Sequence, residues 1–333
     1  MESRMKNLMM GSLLALSLSA CDSLWMDETA TADPASLVVQ VWEEINENYV
    51  FFDQKGVDWA SALTRYQAQV SADMSEEELF EVLANMLREL EDGHVSLQAG
   101  FNNFRYHEVY LDFESNYNPG VVERVYLDRK INELGPFVYA ILNGEVGYLR
   151  YGSFGDDFTQ EQLVYLMDYF FSTRSLVIDI RDNLGGAAGN VTGLLGLFIT
   201  EPQTVGQQHM PDGQGGYTVT DISVEPNEEI AAYENPVIIL TNRKSYSSAN
   251  VFPGFMSQLP QVTVLGDTTA GGTGLSTGRE LSNGWKYRYS GAKITLADGT
   301  DFENGFPPDV VVTTDFNDAA AGVDALLEAA LAR

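Results

Sequence analysis

Residues 175–186 read SLVIDIRDNLGG, and this stretch decides the architecture. The run LVIDI is apolar at nearly every position instead of alternating, so it predicts a strand buried on both faces. Two glycines follow a short polar turn, and a helical pattern begins directly after them. Paired glycines let backbone approach a ligand closely, and N–H groups at a helix start can face an anion. Outward from there, strands are predicted near 146–151 (VGYLRY), 236–242 (PVIILTN) and 262–266 (VTVLG), with helices near 159–171, 187–199 and 248–258. Strands alternating with helices define an α/β class. Residues 281–312 read as hairpin-rich, and an Ala/Leu helix is predicted from about Asn317 to Leu331.

Upstream the periodicity is helical, and residues 34–100 are expected to form an N-terminal three-helix domain before an α/β core over 101–333. Val38, Val41, Trp42, Ile45 and Tyr49 recur at spacings of three and four. So do Trp59, Leu63, Tyr66 and Val70 behind a candidate N-cap at Asp58. Ser75 and Glu78 make a capping box for a third apolar stripe, Leu79 to Leu90, that Gly93 ends.

The first twenty residues carry Arg4 and Lys6 and then an apolar run from Leu8 to Ala20, shorter than a bilayer requires. They read as a signal peptide. Leu18-Ser19-Ala20-Cys21 resembles a bacterial lipobox, which predicts cleavage before Cys21 and a lipid on its thiol, with residues 21–33 as a tether. The expected location is the bacterial cell envelope, exported and held to a membrane by that lipid. Cys21 is the only cysteine, so no internal disulfide can form. The chain has 19 Lys and Arg against 48 Asp and Glu, a formal net charge of -29. Such a field repels nucleic acid and anionic membrane surfaces, which excludes both as charge-driven partners.

Three turns combine reactive side chains with loop chemistry: Asp92-Gly93-His94, the Asp179–Gly186 segment, and Ser245-Tyr246-Ser247-Ser248-Ala249-Asn250. A serine at a helix start, taken alone, reads more readily as an N-cap. The segments LVIDIRDNLGG, VIILTNRKSYSSANVF, TVLGDTTAGGTG and ENGFPPDVVV, in this order, resemble the catalytic core of the tail-specific (C-terminal-processing) serine peptidases. The resemblance covers roughly residues 140–313 and reaches back through DGHV to about residue 40.

That resemblance implies a crotonase/Clp-like α/β core without cofactor, acting on protein or peptide substrates. It implies Ser247 as nucleophile and an oxyanion hole from the N–H groups of Gly185 and Ser248. In the C-terminal-processing branch a lysine lies 25 residues after the nucleophile; here that position is Gly272, and Lys286 and Lys293 lie outside the loop. The chain therefore looks like the branch similar to the tricorn core, with His94 as general base and Glu303 as the carboxylate that orients it. An imidazole suits that task because it titrates near neutrality, and the carboxylate fixes its tautomer. Gly93 stands where the tricorn core has a serine, so Asp92 or Asp301 are alternative orienting groups. Residues 101–145 are too few for a PDZ module, which places substrate recognition in the core cleft.

Other readings attach to other residues. Asp179 and Arg181 read as a salt-bridged turn anchor, and His107 and His209 as surface residues. Gly274-Leu275-Ser276-Thr277-Gly278 formally matches the G-x-S-x-G elbow of esterases, which requires a strand before and a helix after. A non-proteolytic binding module of the same fold is the remaining rival. Three scattered histidines and one cysteine give no metal-ligand spacing, so no metal is expected.

Overall fold

The computed structural model describes residues 33–315 and 318–333. The leader, Cys21 and nearly all of the tether lie outside the described residues. Among the described residues no helix is long and apolar enough to cross a membrane.

A seven-stranded sheet forms the centre. In spatial order it runs Val310–Val311, Val262–Gly266, Val237–Thr241, Ser175–Asp179, Val146–Tyr151, Phe137–Leu142 and Asn132–Leu134. The first five are parallel, and the last two pair antiparallel at one edge. Every residue of Ser175–Asp179 and Val237–Thr241 is buried, for a reason that the pleat supplies. Leu176, Ile178, Val237 and Ile239 join one apolar cluster with the helices Gln160–Phe170, Ala188–Leu195 and Ser248–Met256. Val177, Ile238 and Leu240 point the other way, into a cluster with Leu326, Leu327 and Ala330 of the helix Ala325–Leu331. A strand covered on both faces must be apolar at successive positions.

A second, antiparallel sheet is built on Lys286–Leu296, which pairs with Ser96–Gln98, Gly274–Glu280 and Gln203–Pro211. The helices Pro34–Asn48, Trp59–Gln67 and Glu76–Arg88 pack on this sheet rather than on one another alone. Leu37, Val41, Ile45, Leu83 and Leu87 share one buried cluster with Leu281, Trp285, Tyr287 and Tyr289. The N-terminal segment thus shares its core with the hairpin near residue 285. The capping box at Ser75 forms as expected, with Ser75 and Glu78 each bonded to the other's backbone N–H. The last helix is shorter than its composition suggests. It starts at Ala325, because Gly322 turns the chain at φ +76° and the Asp324 side chain caps the Leu327 N–H.

Candidate active site

The Val237–Thr241 strand ends in a turn fixed by its own side chains. The Ser245 hydroxyl donates to the Ile180 carbonyl at 3.0 Å, which ties the turn to the neighbouring strand's end. The backbone N–H groups of Tyr246 and Ser247 donate to Asn183 O and Gly271 O at 3.0 and 2.9 Å. Ser247 is thereby held at φ 57°, ψ -121°, an unfavourable region for a residue with a Cβ. It occupies the N-cap position of Ser248–Met256, yet its side chain makes no capping bond. The capping role is therefore excluded, and the hydroxyl faces elsewhere. Ser247 Oγ lies 3.0 Å from His94 Nε2, joining turns 153 residues apart in sequence.

On the far side of the imidazole, Nδ1 meets the Tyr246 hydroxyl at 3.2 Å and Asp92 Oδ1 at 3.6 Å. Asp92 is fully buried, and it accepts from the His94 backbone N–H at 2.8 Å and from the Ser290 hydroxyl at 2.7 Å. Burial alone would raise the Asp92 pKa, but the bonds and charge from His94 and the Ser290 bond outweigh it and hold the carboxyl at about 2. Tyr246 remains a neutral phenol, since burial and then the charges of Asp92 and Glu303 push it well above its ordinary range.

Two glycines explain how this chain departs from the patterns it resembles. A Cβ at Gly93 would stand 2.6 Å from the Tyr246 Oη, so the tyrosine hydroxyl fills the space beside His94 that a side chain at 93 would need. A Cβ at Gly272 would meet the same ring at 2.5 Å, on backbone at φ +87°. A lysine has no room there.

Glu303 departs from expectation. It is buried, but its Oε2 accepts from Thr273 N–H at 2.6 Å and the Thr273 hydroxyl at 3.0 Å, while Oε1 pairs with Lys55 at 3.4 Å. No hydrogen bond joins it to His94 among the described residues, so the carboxylate beside the imidazole is Asp92 instead. Burial, and then the negative charge of Asp92, raise the Glu303 pKa to about 7 against the opposing pull of Lys55 and His94. Asp301 is nearer the surface, bonded to Gln54 and Lys293 at 3.0 and 3.4 Å.

The expected oxyanion donors divide. Ser248 opens its helix, and its N–H has no acceptor among the described residues. The Gly185 N–H is already donated to Asn183 Oδ1 at 2.9 Å, an Asx turn that takes it out of service. Gly185 is needed for another reason: a Cβ there would lie 2.7 Å from Ser247 Cβ and 2.9 Å from Ser248 N. Gly186 lines the same cleft.

The remaining candidates fall outside the chemistry. Arg181 is fully buried and forks between Asp179, at 2.6 and 2.9 Å, and Asp324, at 2.9 Å twice, which makes this the anchor of the turn. Ser276 sits within the strand Gly274–Glu280, opposite Ser290, so the strand-to-helix elbow an esterase needs is missing. His107 bonds Tyr110 at 3.3 Å and His209 bonds Thr295 at 3.1 Å, and neither lines the cleft.

The cleft beside Ser247 encloses about 570 Å³. Val191, Ile222, Val251, Phe255 and Ile294 give it an apolar wall. A strained serine facing an imidazole, with a buried carboxylate behind the ring, is the arrangement of serine-type hydrolases. The profile of Peptidase family S41 matches residues 145–312, half of the chain, and the chain belongs to that family. The Tricorn protease C1 domain profile matches residues 32–88.

A solved structure from Parabacteroides merdae is 33% identical and superimposes with a TM-score of 0.84, covering 90% of this chain and 96% of that one. The tricorn protease shares the fold at 14% identity and TM-score 0.54, over 90% of this chain and 36% of that one. A Staphylococcus haemolyticus protein named "Probable CtpA-like serine protease" is 31% identical over 143 residues, 42% of this chain and 28% of that protein. The chain spans about a third or less of the length of the curated relatives it matches.

Proposed function

We propose that this chain hydrolyses peptide bonds through an acyl-enzyme on Ser247. The observation that carries the reading is the 3.0 Å approach of Ser247 Oγ to His94 Nε2 by a serine that is strained and does not cap its helix. Ser247 Oγ attacks the scissile carbonyl carbon while its proton passes to Nε2. Asp92 and the Tyr246 hydroxyl hold Nδ1–H, so the ring keeps Nε2 free to accept, and the carboxylate stabilises the imidazolium that forms. The carbonyl oxygen, now negative, meets the Ser248 N–H. Nε2–H then protonates the departing amine, and a water repeats the sequence to release the acid. The apolar wall favours substrates with an aliphatic or aromatic side chain next to the scissile bond.

The test is hydrolysis of an unstructured protein and of quenched peptides containing Leu or Val. Wild type should cleave both, and Ser247→Ala and His94→Ala should each lose ~10⁴-fold in kcat while keeping the native circular dichroism spectrum. Activity surviving in folded Ser247→Ala would refute the assignment. The lipobox supports a further part of the proposal, that the mature chain is exported and tethered at Cys21. Cys21→Ser should lose acyl labelling in a bacterium that processes lipoproteins, and an unlabelled wild type would refute the tether.

A further inference from the structure

The charge of the cleft differs from that of the molecule around it. The chain has 48 acidic residues against 19 basic ones, yet no Asp or Glu lines the cleft, whereas Arg105 and Arg288 both do. The two arginines are organised. Ser96 is paired in register with Arg105 on one neighbouring strand and with Arg288 on the other. Directly opposed residues present their side chains on one face, so Arg105, Ser96 and Arg288 form a row across the sheet, and all three line the cleft. Neither guanidinium has an ion pair among the described residues, and Arg105 donates only to Gly93 O, at 3.4 Å. Arg88, Arg124, Arg129 and Arg243 likewise lack an ion pair among the described residues, but none of them lines the cleft, whereas Arg150, Arg174, Arg181 and Arg279 each meet a carboxylate.

A guanidinium offers a planar fork of donors that fits a carboxylate, and two in one row offer more donors than one carboxylate can fill. In a chain so rich in acid, leaving both open toward the cleft suits an anion that arrives with the substrate. Ile294 lies on the same Lys286–Leu296 strand as Arg288, six positions further along. That separates the cationic end from the apolar wall by at most roughly 20 Å, a span that an extended peptide of about six residues covers.

We propose that Arg105, Ser96 and Arg288 form a carboxylate-binding subsite that docks an acidic group of the substrate while the apolar wall takes a neighbouring hydrophobic side chain. The proposal rests on reading the cleft as a peptide-binding site. The carboxylate is supplied by a chain terminus or by an Asp or Glu side chain, and the experiment separates the two.

Fluorescein-labelled peptides sharing one Leu are titrated by anisotropy into Ser247→Ala protein. One peptide carries Glu six residues beyond the Leu and an amidated end; a second carries Gln at that position and ends there in a free terminal carboxylate; a third carries Gln there and an amidated end. The first or the second should bind roughly tenfold or more tightly than the third, in keeping with hydrogen bonds to charged groups. The preferred peptide names the source. Added Arg288→Gln should bring the ratio near one, and high salt should shrink it. Arg288 is the primary variant because Arg105 also supports the turn before His94. Equal affinities, no measurable carboxylate-dependent binding, or a preference that survives Arg105→Gln/Arg288→Gln would overturn the subsite. Wild-type protein separates this from the catalytic proposal. Equal cleavage of all three peptides refutes the subsite alone, whereas carboxylate-dependent binding without any cleavage refutes hydrolysis alone.

Discussion

Replacing Glu303 with Gln should change how stability depends on pH, in a direction that the structure fixes. Glu303 is fully buried, and burial and the Asp92 charge raise its pKa from 4.5 to about 7. Lys55, 3.4 Å away, pulls the other way and is outweighed. Between pH 4.5 and 7 the folded chain therefore keeps a proton that the unfolded chain has released. The favourable contribution is full below 4.5 and is lost as pH rises through about 7. A shift of this size corresponds to no more than about 3.5 kcal/mol, since each pKa unit is worth ~1.4 kcal/mol. Gln keeps an oxygen for Thr273 and cannot ionise, so the variant should lack the slope. Equilibrium urea unfolding of both proteins at pH 5 and pH 8 measures this. Relative to wild type, Glu303→Gln should gain stability between the two conditions by an amount approaching that figure. Asp92 works in the opposite sense, with stability present above 3.8 and lost as pH falls through about 2. The reasoning is refuted if the stability difference between variant and wild type is the same at both pH values, or if the variant loses ground at pH 8.

Three other substitutions separate the parts of the site. Asp92→Asn removes the carboxylate behind His94, and kcat/KM in the peptide assay should fall ~10²–10⁴-fold. Tyr246→Phe deletes one neutral hydrogen bond to Nδ1, so kcat should drop only about tenfold, and a loss as large as that of Asp92→Asn would contradict the order of importance. Asp324→Asn keeps an oxygen to cap the last helix but strips half of the charge around buried Arg181, and urea unfolding should show a loss of about 3 kcal/mol or more.

The buried strands were legible because burial on both faces leaves an uninterrupted apolar run, as in Leu176–Ile178, and parallel neighbours repeat it at Val237–Leu240. The helix capped at Ser75 was legible from local bonds that need no tertiary context. Ser247 and His94 came from turns with reactive residues and from the family resemblance, and their meeting is a property of the fold. Sequence left the orienting carboxylate open among Glu303, Asp92 and Asp301, because all three lie in loops of similar composition. Only three-dimensional contact separates a group 3.6 Å from Nδ1 from one tied to Thr273 and Lys55. Tyr246 stood in one of the three reactive turns without a role of its own, because nothing local places its hydroxyl beside a histidine 152 residues away, although glycines at 93 and 272 were the trace of the space it occupies. The fate of the Gly185 N–H was readable, since Asn two residues before a backbone donor is a common Asx turn.

The most direct measurement is mass mapping of the protein after reaction with a fluorophosphonate, which bonds covalently to a serine hydroxyl that a neighbouring base has activated. The account predicts a single adduct on Ser247, none on Ser245 or Ser276, and labelling slowed by orders of magnitude in His94→Ala. An adduct on another serine, or an unmodified wild-type protein, would contradict it.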